Sequence, residues 1–212
     1  MHAVVVANGH ITDYDYFKDI VNSTDYLICA DGAIAHCIAL DRLPDLWIGD
    51  FDSCNLTKLL CEYPQLNSVK KITLSTHKDV TDTHAACDIA IDMGYNNITI
   101  IGAIGTRIDH SISNIHLLEY LHTKGISACI ENEHNTITVF DSELKLTKTR
   151  KYVSLIPLDS EVVVKKTSGL LYQLEDFNLL RKISLGVSNE IIGDDAVITL
   201  EKGIMLAIES ND

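Results

Sequence analysis

The chain predicts an α/β domain built on a parallel sheet, followed by a small all-β domain. Three observations carry this reading. Short, continuous apolar runs alternate with helical periods through the first two-thirds of the chain, as strands covered on both faces require. The helical rhythm stops near Asp141. Beyond it only short β-type runs remain, punctuated by Gly169, Gly186, Gly193 and Gly203, which is the pattern of an all-β domain. The expected domains are residues 1–141 and 142–212.

Residues 3–7 are a β-branched run and read as a buried first strand. Residues 14–21 suit a helix, with Asp13 at the capping position. Residues 26–30 read as a strand and 33–40 as a short helix. Leu46-Trp47-Ile48 is apolar and ends at Gly49, with Trp47 expected in the core. A helix over 55–63 stops before Pro64, and 69–74 returns to a strand. Ala86, Ile89, Ala90 and Met93 share one helical face, and Gly94 marks its stop. Residues 98–101 form another continuous apolar strand. A second clear helix, 111–124, carries Ile115, Leu117, Leu118 and Leu121 and ends at Gly125. Residues 126–130 and 136–140 are β again. The all-β part shows runs at 152–157, 161–164, 196–200 and 204–208. A domain of about 70 residues is marginal alone and needs a neighbour to pack on.

Composition narrows the function. The 212 residues include 17 Lys plus Arg and 30 Asp plus Glu, a net charge of −13, with 46% hydrophobic and 22% charged residues. That is a globular composition, and the acid excess argues against nucleic acid, which needs clustered cations. No apolar run approaches the roughly 20 residues of a membrane span, and the start lacks a basic leader, so a cytoplasmic location is expected. Cys29, Cys37, Cys54, Cys61, Cys87 and Cys129 form no Cys-x-x-Cys and are expected as reduced core residues, not a zinc site. The scattered His36, His84, His116, His122 and His134 are expected at surface or partly buried positions.

Acidic residues recur at inferred strand ends. Asp50 and Asp52 follow Gly49. In extended backbone they would aim to one side, either capping locally or sharing a cation. Asp79 and Asp82 precede the helix over 85–93, beside Lys78, where one acid is explained by capping. Asp31 follows the strand over 26–30. Gly102 to His110 joins a strand to a helix, but Gly102-x-x-Gly105 is neither a Walker loop nor a dinucleotide fingerprint. Arg107 there could meet phosphate. Strand ends of one sheet converge on a single edge, so this recurrence favours a Mg-nucleotide site. Mg²⁺ takes one or two carboxylates and completes its shell with water and phosphate.

The ordered set Ala30-Asp31-Gly32-Ala33, Asp45 to Ser53, Lys78-Asp79-Val80-Thr81-Asp82, and Gly105-Thr106-Arg107-Ile108-Asp109-His110 with Asn114 resembles the thiamin pyrophosphokinase family. Gly169 to Leu174 and Gly186-Val187-Ser188-Asn189-Glu190 are similar to its C-terminal domain. The resemblance implies an N-terminal α/β domain that binds ATP and a C-terminal β-sandwich that binds thiamin. It implies a homodimer with active sites at the subunit interface, and transfer of pyrophosphate from ATP to thiamin. Asp31, Asp50, Asp52 and Asp82 would hold Mg²⁺ and the triphosphate, with Asp50, Asp52, Asp79 and Asp82 the catalytic set. Gly32, Lys78, Gly105 and Arg107 would join Asp31 on ATP. Lys78, Asp109, His110, Asn114, Ser188 and Asn189 would line the thiamin side. The chain departs from the family at Ala33 and Thr106, where glycine is common, and at Gly203-Ile204-Met205-Leu206, where some members carry a Trp.

Two other readings share the same carboxylates. One is a Mg-dependent nucleotide hydrolase with water as nucleophile. The other is a non-catalytic module that senses a nucleotide or thiamin.

Overall fold

A computed structural model describes residues 1–51, 56–75 and 79–212. It divides into two compact units, 1–133 and 134–212. The break falls before the expected 141. The strand over 136–140, placed by its apolar pattern in the first domain, pairs antiparallel with the last strand and so belongs to the second.

The first unit is a parallel sheet. Its strands are β1 (His2–Val6), β2 (Tyr26–Ala30), β3 (Leu46–Gly49), β4 (Lys70–Thr73), β5 (Asn97–Ile101) and β6 (Ser127–Glu131). They lie in the order β4-β3-β2-β1-β5-β6, and each neighbouring pair is parallel. All four residues of β3 and the last four of β1, β2 and β5 are buried. Successive strand side chains face opposite ways, so both faces of the central sheet are covered. β4, at the edge, is only partly covered.

The helices are α1 (Tyr14–Ser23), α2 (Ile34–Ala39), α3 (Leu56–Glu62), α4 (Asp82–Asp92) and α5 (Ile108–Thr123). Asp13 caps α1, its side chain accepting from the N–H groups of Asp15 and Tyr16. Phe17 and Val21, one turn apart, seat that helix in a core with Val4, Val6, Leu27, Cys29 and Trp47. Trp47 is fully buried. Cys29, Cys37 and Cys87 are buried, but Cys61 is exposed, because α3 buries no residue fully. That corrects the expectation of a core position for Cys61. Cys54 lies outside the described residues.

The second unit is a sandwich of antiparallel strands: β7 (Asn135–Phe140), β8 (Glu143–Thr147), β9 (Tyr152–Pro157), β10 (Glu161–Ser168), β11 (Glu175–Leu180), β12 (Asp195–Lys202) and β13 (Met205–Ser210). One layer runs β7-β13-β9 and the other β11-β10-β12-β8. Phe140, Val153, Leu155, Val162, Val164, Ile198 and Met205 form the shared core. β8 and β11 were not expected from the pattern. β8 carries charges at alternate positions, and four of the six residues of β11 are exposed.

Candidate active site

In the first unit the strand order reverses at β1, which has β2 on one side and β5 on the other. Open α/β sheets bind ligands at such a switch point, beyond the carboxyl ends of the strands. A cleft of about 700 Å³ lies there. Its walls come from the residues just after β1, β2 and β5 and from the starts of α4 and α5.

Asp31, Asp82, Gly105, Arg107, His110 and Asn114, from the expected set, line this cleft. Asp31 follows β2 with φ 46°, a left-handed conformation that is costly for a residue with a Cβ. Its carbonyl accepts from Trp47 Nε1 at 2.8 Å, and its Oδ1 is shielded from solvent. Gly49 makes room for it, since a Cβ on Gly49 would fall 2.9 Å from the Asp31 Cα. Thr81, not an aspartate, caps α4 by accepting from the His84 N–H at 3.2 Å. Asp82 is therefore the first residue of the helix, not its cap.

α5 begins at Ile108, so Asp109 and His110 sit on its first turn and not in the loop before it. Ser111 explains the late expected start. Its hydroxyl reaches back to the carbonyls of Gly105 and Arg107 at 3.3 and 3.1 Å. Asn114 is buried and donates to the Ala103 carbonyl at 2.7 Å, tying the glycine loop to the helix. Asp109 is exposed and engages Arg107 through both oxygens, at 2.9 and 2.6 Å. That hydrogen-bonded guanidinium holds the Asp109 carboxyl well below the usual carboxylate range.

Asp50, Asp79, Asp109 and Gly32 do not line the cleft. Gly32 backs it, because a Cβ there would meet the Asn8 amide at 2.6 Å. The same-side geometry expected of Asp50 and Asp52 needs extended backbone, yet Phe51 between them has φ 58°. Asp52 and Lys78 lie outside the described residues. Among the described residues no three His, Cys, Asp or Glu side chains gather as a metal cage. The donors present in the cleft, Asp31 and Asp82, fit a Mg²⁺ ion that brings its other oxygens from phosphate and water.

Ser188 and Asn189 stand in the second unit. Ser188 is exposed with φ 60°, and its N–H donates to Ser154 Oγ at 3.0 Å. Asn189 is buried. Its side-chain oxygen accepts from the N–H groups of Tyr172 and Glu190, and its amide donates to the Tyr172 carbonyl at 2.7 Å. Its side chain orders the loop.

Asn8, Gly9 and His10, which follow β1, also line the cleft and were not singled out. The same signature that marks Asp31-Gly32, a buried strand ending in a polar residue and glycine, is present in Ala7-Asn8-Gly9.

Fold and cleft together define the class: a ligand-binding α/β unit followed by a separate β-sandwich. Residues 17–130 match the family described as "Thiamin pyrophosphokinase, catalytic domain", and residues 135–205 match "Thiamin pyrophosphokinase, vitamin B1 binding domain". The chain is 28% identical over 172 residues to Thiamine pyrophosphokinase of Bacillus subtilis (strain 168), covering 77% of each. It is 21% identical over 207 residues to Thiamin pyrophosphokinase 1 of Caenorhabditis elegans, covering 91% of this chain and 82% of that one. The crystal structure of Thiamine pyrophosphokinase from Bacillus subtilis is similar with a TM-score of 0.88, at 25% identity over 100% of both chains. The chain belongs to the thiamin pyrophosphokinase family and is an enzyme of that family, a thiamin diphosphokinase.

Proposed function

We propose that this chain transfers the pyrophosphoryl group of Mg-ATP to the hydroxyl of thiamin, releasing AMP. One observation carries the reading. Asp31 after β2, Asp82 at the start of α4, and Gly105 and Arg107 before α5 share one cleft at the switch point in a chain that matches both domains of the family.

Thiamin oxygen attacks the β-phosphorus, the bond from that phosphorus to the α-phosphate oxygen breaks, and AMP departs with that oxygen. The hydroxyl proton leaves to solvent or to a carboxylate. Such transfer depends on alignment and charge neutralisation more than on covalent help. Asp31 and Asp82 would hold Mg²⁺, joined in this proposal by Asp50 and Asp52, with Asp79 beside them. When bound, the ion supplies charge screening for the phosphates and a template for their geometry. The net charge of −13 makes a bare triphosphate an unfavourable guest, so its entry with a divalent cation follows from simple repulsion. Arg107, Lys78, Gly32 and Gly105 would line the ATP side. His110, Asn114, Asp109, Lys78, Ser188 and Asn189 are assigned to thiamin, with Asn189 acting by shaping the Ser188 turn. The protein would act as a homodimer with active sites at the subunit interface, in the cytoplasm. No helix among the described residues is long and apolar enough to cross a membrane.

Incubation with ATP, Mg²⁺ and thiamin, followed by chromatography, should yield AMP and thiamin diphosphate in equal amounts. ADP with thiamin monophosphate would overturn pyrophosphoryl transfer, and AMP released without thiamin would show a nucleotide hydrolase. Binding of both substrates without turnover under any metal would show a sensing module. Asp82→Asn should keep the fold by circular dichroism and lower kcat/KM by about 10²-fold, the scale of losing a charge-stabilising group. Activity within a factor of about three of wild type would remove Asp82 from the machinery.

A further inference from the structure

The loop after β1 stands on the wall of the cleft, and its backbone is held on several sides. The Gly9 N–H donates to the Gly102 carbonyl at 2.7 Å, and the His10 N–H donates to the Ile104 carbonyl at 2.8 Å. Gly9 itself is so enclosed that a Cβ would fall 2.3 Å from the Gly102 oxygen. The remaining tie comes from α2. His36 Nε2 lies 2.9 Å from the Gly9 carbonyl oxygen, and His36 Nδ1 lies 2.9 Å from the Tyr14 hydroxyl.

Chemistry settles the tautomer. A carbonyl oxygen can only accept, so Nε2 carries the proton. Nδ1 of the neutral ring then accepts, and Tyr14 donates. Burial pushes the His36 imidazolium down in pKa, consistent with a neutral ring. α2 follows directly on the Asp31–Ala33 turn, and Asn8 packs against Gly32 of that turn. His36 therefore joins two cleft segments that come from different strands.

We propose that His36 is a positioning residue for ATP, fixing the Asn8-Gly9-His10 loop against the Asp31 turn. The proposal rests on the functional reading above for its substrate. His36 lines no part of the cleft and acts only through Gly9 and the Tyr14 hydroxyl.

His36→Phe keeps an aromatic ring at this position and removes both hydrogen bonds. It should raise the KM for ATP about tenfold while leaving the KM for thiamin and kcat within about threefold. His36→Gln offers an amide N–H to the Gly9 carbonyl and should recover most of the loss. Hydrogen exchange on the protein without substrates should show the Gly9 and His10 amides exchanging at least about tenfold faster in His36→Phe, with β2 and β3 unchanged. Tyr14→Phe, which leaves the ring in place, should show the same changes at about threefold. Unaltered exchange in both variants, an unaltered KM for ATP, equal damage to both substrates, or failure of Gln to rescue would each overturn the proposal. Wild-type protein that makes no thiamin diphosphate would overturn the functional reading instead, and the exchange measurement would still decide whether His36 holds the loop.

Discussion

Asp109 spends both carboxylate oxygens on Arg107. A carboxyl so engaged stays ionised, because protonation would cost it the charge-assisted pair. Its contribution is therefore present above the ordinary aspartate value of 3.8 and is lost only as pH falls through the lower folded value. Carbon-13 NMR of the Asp109 carboxyl should show no midpoint in the ordinary carboxylate range, and Arg107→Ala should return the midpoint there. An ordinary midpoint in the unaltered protein would mean that the pair is open in solution. Both side chains are exposed, so the pair does little for stability. To meet thiamin as proposed, Asp109 must first release Arg107. Asn189 shows the opposite economy. Its amide is occupied by the Tyr172 and Glu190 backbone, tying two segments of the loop together.

At the scale of elements, α1 depends on a residue far along the chain. Glu133 Oε1 accepts from the Thr12 N–H at 2.6 Å, the Thr12 hydroxyl at 3.0 Å and the Asp13 N–H at 2.9 Å, just before the helix begins. Burial alone would push the Glu133 carboxyl up, but these donors outweigh it and hold it below its ordinary value of 4.5. A depressed acid stabilises the fold above its unfolded value and loses that contribution as pH falls through the folded one. Glu133→Gln should cost about 1 kcal/mol at neutral pH, a charged hydrogen bond discounted for exposure. It should cost nothing well below pH 4.5. Urea melts at the two pH values check this, and an equal cost at both would show that the charge is irrelevant.

The parts of the fold that were legible are those where burial is one-sided in its demands. β1, β2, β3 and β5 announce themselves because a strand covered on both faces has no room for polar residues. Asp31, Asp82 and Arg107, which line the cleft, stood out because acids and bases next to buried strands and helix starts are conspicuous. β11 escaped because four of its six residues face solvent. Asn8-Gly9 escaped because the same dipeptide makes ordinary turns. The left-handed backbone at Phe51 escaped because nothing in Asp-Phe-Asp betrays it.

At the scale of the whole molecule, the second unit exposes Leu171, Tyr172, Ile183, Leu185, Val187 and Ile192. Large apolar side chains left in water are candidates for an association surface, the surface that the proposed homodimer needs. Light scattering should give twice the chain mass of 23.5 kDa. Leu185→Asp combined with Ile192→Asp should return the single-chain mass, and an unchanged dimer would place the interface elsewhere. The two units also differ in when they can form. All six strands of the first lie before residue 134. In the second, β13 sits between β7 and β9 and pairs with both. The strand of this unit that is latest in the sequence thus joins β7 to β9, which have no shared neighbour until it is made. Chain order therefore lets the first unit assemble while the second is still being made.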